Sequence, residues 1–358
     1  MASKDPECKI ELSSRVTTLP PSPTLTVLFT SFDRKAKGLK TYDFGIGELT
    51  PTHKIPKSFV EPFIDAIRSE KTQYCREIGI ESIRKAISND LNVNFNLSFD
   101  EDQIVVTPGP RDAVYKTLMA ILDPSKKRNR AVAFLPSYEI FAQQPFLLTG
   151  ERTIFSPVDE DFLPDLEKFK ALLEEKGDEI AVLFINSPNN PTGVTYPKRI
   201  IKGITDIVKE YPEIAIVSDE VYRTIIYDDA EYSSPAHFLP QQTIILGGIS
   251  KEIAGTGIRL GFAAAPKAIA KYIGKATGMV STCISMASQI AYASFLNNEK
   301  EMEHRKKIAS QLKVKRDLLL KLFSTLPGLK DLKVPAPTGA FYIFPCVKSL
   351  YGCIDPAS

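Results

Sequence analysis

Six short runs rich in valine, isoleucine and phenylalanine punctuate the chain: QIVV (103–106), AVAF (131–134), IAVLFI (180–185), IAIVS (214–218), TIIL (243–246) and GFAAA (261–265). Each keeps its apolar character over four to six residues, so it needs cover on both faces. The segments between them carry helical periodicity, and the pattern therefore predicts a mainly parallel sheet with helices on either side. In PRDAVYKTLMAIL (110–122), Val114, Leu118, Ile121 and Leu122 fall at helical spacing, and Pro110 suits a first helical position. LEKFKALLEEK (166–176), between AVAF and IAVLFI, reads as a crossover helix.

After residue 285 the texture changes to long, charged, helix-period sequence, followed by a short strand-like patch, GAFYIF (339–344). This predicts an N-terminal arm with part of a small domain (1–49), a large α/β domain (50–285) and the rest of a smaller domain (286–358). The 358 residues are 43% hydrophobic, with 45 Lys+Arg against 43 Asp+Glu. A charge so balanced excludes a nucleic-acid or membrane-surface partner, and any anion site must be local. Cys8, Cys75, Cys283, Cys346 and Cys353 show neither a disulfide framework nor metal-ligand spacing. His53, His237 and His304 stand alone. The charged start has no apolar core of a signal peptide, and TLTVLFT (24–30) is too short to span a bilayer, so a reducing cytoplasm is expected.

In open α/β sheets, ligands gather beyond the carboxyl ends of the strands. QIVV is followed by Thr107-Pro108-Gly109-Pro110-Arg111, a glycine turn opening a helix, where backbone N–H groups and the helix dipole attract an anion. AVAF leads to Tyr138, IAVLFI to NSPNNPTG (186–193) with Asn190, and IAIVS to Asp219 and Tyr222. TIIL leads to Gly247-Gly248-Ile249-Ser250-Lys251, with Arg259 eight residues on. Each alone has a dull explanation in turn chemistry or helix capping. Together they supply an anion site, an aromatic ring, an amide, an acid, an amine and a guanidinium. Pyridoxal 5'-phosphate needs that set: a lysine for a Schiff base, a carboxylate for the pyridine nitrogen, donors for the phenolic oxygen, a flat cover and a cationic phosphate clamp.

The order Tyr74…Gly79, Gly109, Tyr138, NSPNNPTG, SDEVY (218–222), SK (250–251) and Arg259 resembles the class I/II aminotransferases of pyridoxal-phosphate fold type I. The likeness runs from LSSRV (12–16) to GAFYIF. PSPTLTV (21–27), FINSPNNPTG and AILDP (120–124) are most similar to the prokaryotic aspartate aminotransferase branch. The resemblance implies a mainly parallel α/β sheet flanked by helices, a second, smaller α+β domain, and amino-group transfer between an amino acid and a 2-oxo acid. It implies that Lys251 carries the cofactor and moves the Cα proton, which requires a depressed pKa. Asp219 would pair with the pyridinium, Asn190 and Tyr222 would serve the phenolic oxygen, and Tyr138 would cover the ring. Arg259 would clamp the phosphate, helped by Gly109, Pro110, Arg111 and Ser250. Gly47 would bring backbone close to substrate. Tyr74 would reach a neighbouring subunit's phosphate site, implying a homodimer. Arg111 is the candidate for the substrate's distal carboxylate, favouring aspartate or glutamate.

Three departures stand out. Gly248 occupies a place where the family often has serine, and Pro110 removes an N–H from the phosphate turn. The family also continues past GAFYIF to an arginine for the substrate α-carboxylate, and no residue here matches it. The expectation is a fragment, a truncated product or a divergent protein, with apolar small-domain surface exposed. Another fold-type-I reaction (β-lyase or decarboxylase) and a catalytically silent cofactor-binding protein stay open. A nicotinamide oxidoreductase is disfavoured, because GTGIRLG (255–261) lacks the G-x-G-x-x-G order.

Overall fold

Each of the six apolar runs forms a strand. The computed structural model describes residues 10–42, 44–49 and 53–351; Cys8 and Cys353 lie outside them. The strands are β1 (Ile104–Thr107), β2 (Arg130–Phe134), β3 (Ile154–Ser156), β4 (Ile180–Asn186), β5 (Ala215–Asp219), β6 (Thr243–Gly248) and β7 (Gly261–Ala264). Their spatial order is β1-β7-β6-β5-β4-β2-β3. β3, β2, β4, β5 and β6 pair in parallel, whereas β7 runs antiparallel between β6 and β1. β3 is the strand that sequence patterning missed: three residues at a sheet edge carry too short a signal to separate from loop.

Alternate residues of the buried strands feed opposite cores. Ile104 and Val106 pack with helices Glu81–Phe95 and Met286–Leu296, while Val105 packs with helices Pro110–Ile121 and Lys267–Ser281. On β4, Val182 and Phe184 face that second core, and Leu183 and Ile185 face a third one under helices Leu166–Lys176 and Lys198–Val208. Burying a Val, Leu or Ile side chain stabilises by roughly 1.5–3 kcal/mol, which explains why both faces of these runs are apolar. The two expected helices lie where the periodicity put them, with Pro110 at the first helical position. No helix among the described residues is long and apolar enough to cross a membrane.

GAFYIF corrects the expectation of a strand. Ala340 has a left-handed φ of 56°, which breaks the extension. Gly339 donates to the Gly193 carbonyl and Ala340 to the Ile225 carbonyl, so this backbone closes onto two loops and forms an isolated bridge with Ile226. A fourth cluster joins the segment (Ala340, with Phe341 and Tyr342 against it) to Val221, Tyr222, Ile225 and, from helix Glu301–Thr325, Ile308 and Leu312.

Strand register sets the working end of the sheet. Asn186 pairs with Asp219 and Asp219 with Leu246, so β6 runs on two residues further before turning into the one-turn helix Ile249–Glu252. Thr107 pairs with Gly261 and Gly248 with Gly261, which brings the turn after β1 beside Arg259.

Candidate active site

A cavity of about 590 Å³ opens beyond the ends of β1, β4, β5 and β6. Every residue singled out from the sequence lines it except Gly109 and Tyr74. Lys251 is part of its lining. Its Nζ donates to the Gly47 carbonyl at 2.5 Å and lies 5.4 Å from the centre of the Phe341 ring. Burial pushes this amine down to about 8, against the pull of the Glu48 and Asp219 carboxylates. Gly47 is where backbone approaches the site: a Cβ there would meet the Tyr342 hydroxyl at 3.0 Å.

Asp219 ends β5 and is 5% exposed. Its carboxylate accepts the Val221 N–H at 3.3 Å, and burial raises its pKa to about 7. The neighbouring strand end is tied to it by Asn186, whose side-chain amide donates to the Asp219 carbonyl (2.9 Å) and accepts the Asn190 N–H (2.7 Å). Thus Asn186 fixes two of the expected residues at once. The Tyr222 hydroxyl is hydrogen-bonded to that of Tyr342. Burial raises the pKa of both phenols, so both stay protonated donors at neutral pH.

Arg111 stands at the mouth, 43% exposed. Its guanidinium donates to the Tyr138 hydroxyl at 2.6 and 3.2 Å and pairs with Glu139 at 3.3 Å. Glu139 also accepts the Ser22 hydroxyl at 2.6 Å, and Ser22 caps helix Pro23–Ala36. Arg111 therefore does not simply point to solvent. Tyr74, in contrast, is 84% exposed and away from this cavity.

Arg259 lies over the turn after β1, donating to the Thr256 carbonyl (2.7 Å) and the Pro108 carbonyl (3.2 Å). Gly109 has φ +99°, and a Cβ there would strike the guanidinium at 2.6 Å. Only glycine lets the turn and the guanidinium approach so closely. Gly248 is equally constrained, because a Cβ would come within 2.8 Å of both Gly261 Cα and the Leu260 carbonyl. The serine often found there in the family would crowd backbone. Gly248→Ser is expected to lower stability by about 1–3 kcal/mol and to leave cofactor affinity no tighter; thermal unfolding and a cofactor titration check both.

The donor set fits a phosphorylated pyridine ring. A buried carboxyl held away from its ordinary ionisation gains a partner from a protonated ring nitrogen, and the Arg259 guanidinium in the cavity lining is a fork suited to phosphate. Phe341, Tyr342, Asn186 and Glu48 belong to the site but were not assigned roles from sequence. GAFYIF was the visible signal for the first two, misread as a strand.

A sheet that brings an amine, a buried acid and a guanidinium to one cavity suits a cofactor-dependent transferase. The chain belongs to the family aminotransferase class I and II, whose model matches residues 40–350. These are pyridoxal-phosphate-dependent transaminases, which move an amino group between an amino acid and a 2-oxo acid, and this chain is an enzyme of that kind. It is 32% identical over 340 residues to a probable aspartate/prephenate aminotransferase of Aquifex aeolicus, covering 93% of this chain and 83% of that one. It is 35% identical over 318 residues to a probable aspartate aminotransferase of Methanocaldococcus jannaschii, covering 87% and 79%. Among solved structures, an aspartate aminotransferase from Thermus thermophilus with maleate matches with a TM-score of 0.88 at 27% identity, over 96% of this chain and 87% of that one.

Proposed function

We propose that this aminotransferase holds pyridoxal phosphate through Lys251 and takes a dicarboxylic amino acid, aspartate or glutamate, as donor. The observation that carries the reading is Lys251, its amine pushed down to about 8, in one cavity with the buried Asp219. When bound, the cofactor supplies an electron sink that acidifies the donor's Cα–H. Lys251 takes that proton and returns it, because an amine close to neutrality is a competent base near neutral pH. The Asp219 carboxylate holds the ring nitrogen protonated. Tyr222, oriented by Tyr342, and Asn190 serve the phenolic oxygen; Tyr138 covers the ring. Arg259 clamps the phosphate, with Ser250, Gly109 and Pro110 around it. Borohydride reduction of the loaded protein should fix the cofactor on the peptide containing Lys251. Labelling on another lysine refutes the assignment.

The donor preference rests on the names of the relatives and on Arg111, a fork suited to carboxylates at the cavity mouth. Its pairing with Glu139 and Tyr138 is an exchangeable surface arrangement, which a substrate carboxylate competes for. Arg111→Ala is expected to slow the aspartate half-reaction roughly 10- to 100-fold, the size of a lost charge-assisted hydrogen bond, and the alanine half-reaction far less. Equal losses assign Arg111 to phosphate, and no loss leaves it with Glu139 alone.

The same reading takes residues 1–49 as an N-terminal arm with part of the small domain, 50–285 as the cofactor-binding domain and 286–358 as the rest of the smaller domain, with helix Met286–Leu296 buried against the large core as the link. It makes the enzyme a cytoplasmic homodimer. Cys75, Cys283 and Cys346 are free thiols, Tyr74 projects outward, and helix Pro23–Ala36 exposes Val27, Phe29 and Phe32. Light scattering at twice the chain mass is the expected result.

A further inference from the structure

Directly behind the site lies a closed group of buried charges. Glu252 follows Lys251 and Arg223 follows Tyr222, and their side chains turn inward to meet each other. Arg223 pairs with Glu252 at 2.6 Å, both side chains fully buried. Arg305, from helix Glu301–Thr325, reaches Glu252 at 3.3 Å and Asp90 at 2.7 Å. Asp90 also faces Arg223 at 3.4 Å. The Tyr292 hydroxyl donates to Glu252 at 2.7 Å.

The surroundings are shaped for this group. The Arg223 guanidinium lies 4.9 Å from the Phe95 ring centre and 5.4 Å from that of Phe262. A Cβ at Gly247 would strike it at 2.5 Å, so the first glycine before Lys251 leaves the guanidinium its space. Replacing a buried ion pair by well-packed apolar residues is often neutral or stabilising. Stability alone is therefore a weak account of two buried arginines and three buried acids here, the third being Glu301, which meets Arg305 at 3.0 Å. Direction is a better one. Lys251 stands on a single helical turn and Tyr222 on a tight turn in which Arg223 N–H bonds the Glu220 carbonyl and Ile225 N–H the Tyr222 carbonyl. A lone turn is too short to hold its own geometry. The next residue in each case is fixed by a short charge-assisted contact, the strongest directional bond available.

We propose that the Arg223–Glu252 pair, braced by Tyr292 and Arg305, positions Lys251 and Tyr222 relative to each other for amino-group transfer. These are positioning residues: they touch neither cavity nor substrate and act through the one peptide that joins each to its functional neighbour. The inference rests on the proposed roles of Lys251 and Tyr222.

The test uses the loaded chain and two variants. Glu252→Gln keeps the size and a hydrogen-bond acceptor while removing the charge. Tyr292→Phe removes a single hydroxyl and should fold without difficulty. Both are expected to bind one pyridoxal phosphate per chain on Lys251, shown by borohydride fixation, with KM for aspartate within about threefold of wild type. A displacement of about 1 Å at the reacting groups can cost roughly 100-fold in rate. Accordingly kcat should fall roughly 10- to 100-fold in Glu252→Gln and several-fold in Tyr292→Phe, and the rate of covalent capture of added cofactor should slow in parallel. Wild-type kcat and capture rate in both variants, with only the melting temperature lowered, overturn the proposal. So does a loss confined to KM. A wild-type protein not labelled at Lys251 is a different outcome, which refutes the assigned role of Lys251 and the positioning proposal with it.

Discussion

Lys251→Ala should bind pyridoxal phosphate only reversibly and should lose turnover with aspartate by roughly 10⁴-fold. Two functions leave with one side chain, the covalent link and the base. A positioned base alone contributes up to about that factor. Lys251→Arg should be no better, although it keeps a cation in the same space. A guanidinium stays protonated and can neither form the link nor accept the Cα proton. Borohydride should then fix no cofactor on the 251 peptide of either variant. Single-turnover absorbance with aspartate measures the rate, and a variant within tenfold of wild type would remove Lys251 from the mechanism.

Asp219→Asn is expected to have opposite effects on activity and on the stability of the cofactor-free protein. Turnover should fall roughly 10³-fold, the scale of losing a preorganised electrostatic contact in a buried site. Stability should move the other way. The folded Asp219 carboxyl has its pKa raised by burial to about 7 from an ordinary 3.8. Between those values the unfolded chain is ionised while the folded one keeps its proton. Rising pH therefore favours unfolding through this group, and the penalty is complete above about pH 7. Asparagine carries no such penalty, so the variant freed of cofactor should gain in melting temperature over wild type from pH 4 to pH 8. Adding pyridoxal phosphate should shrink that gain, because a cation beside Asp219 restores its charge. A melting difference that does not change with pH would show that burial is not what governs this acid.

Much of the architecture could be read from local pattern. A continuously apolar run needs cover on two faces whatever surrounds it, so six strands and the mainly parallel setting of the sheet followed from the sequence. The helix after β1 followed in the same way from Pro110 and the spacing of Val114 and Leu118. Residues directly after strands were also legible as site candidates, because an open parallel sheet delivers its strand ends to one edge. That is why Lys251, Asp219, Asn190 and Arg259 stand out in the sequence as site candidates.

Contacts between distant segments were not legible. The antiparallel course of β7 depends on its being inserted between β1 and β6, which its own four residues do not encode. GAFYIF has strand composition, yet its backbone is claimed by Gly193 and Ile225, and the turn at Ala340 sends Phe341 and Tyr342 to the cavity. Arg111 found Glu139 and Tyr138, partners 28 and 27 residues away. Nothing in the sequence marked the charges at Arg223, Glu252, Asp90 and Arg305 for burial. By itself the sequence determined the strands, the first helices and the chemical groups at the strand ends, since periodicity and turn chemistry act over a few residues. The tertiary structure alone decided which groups meet, which acid is buried and which arginines are held inside. Those outcomes depend on burial and on contacts across as many as 215 residues.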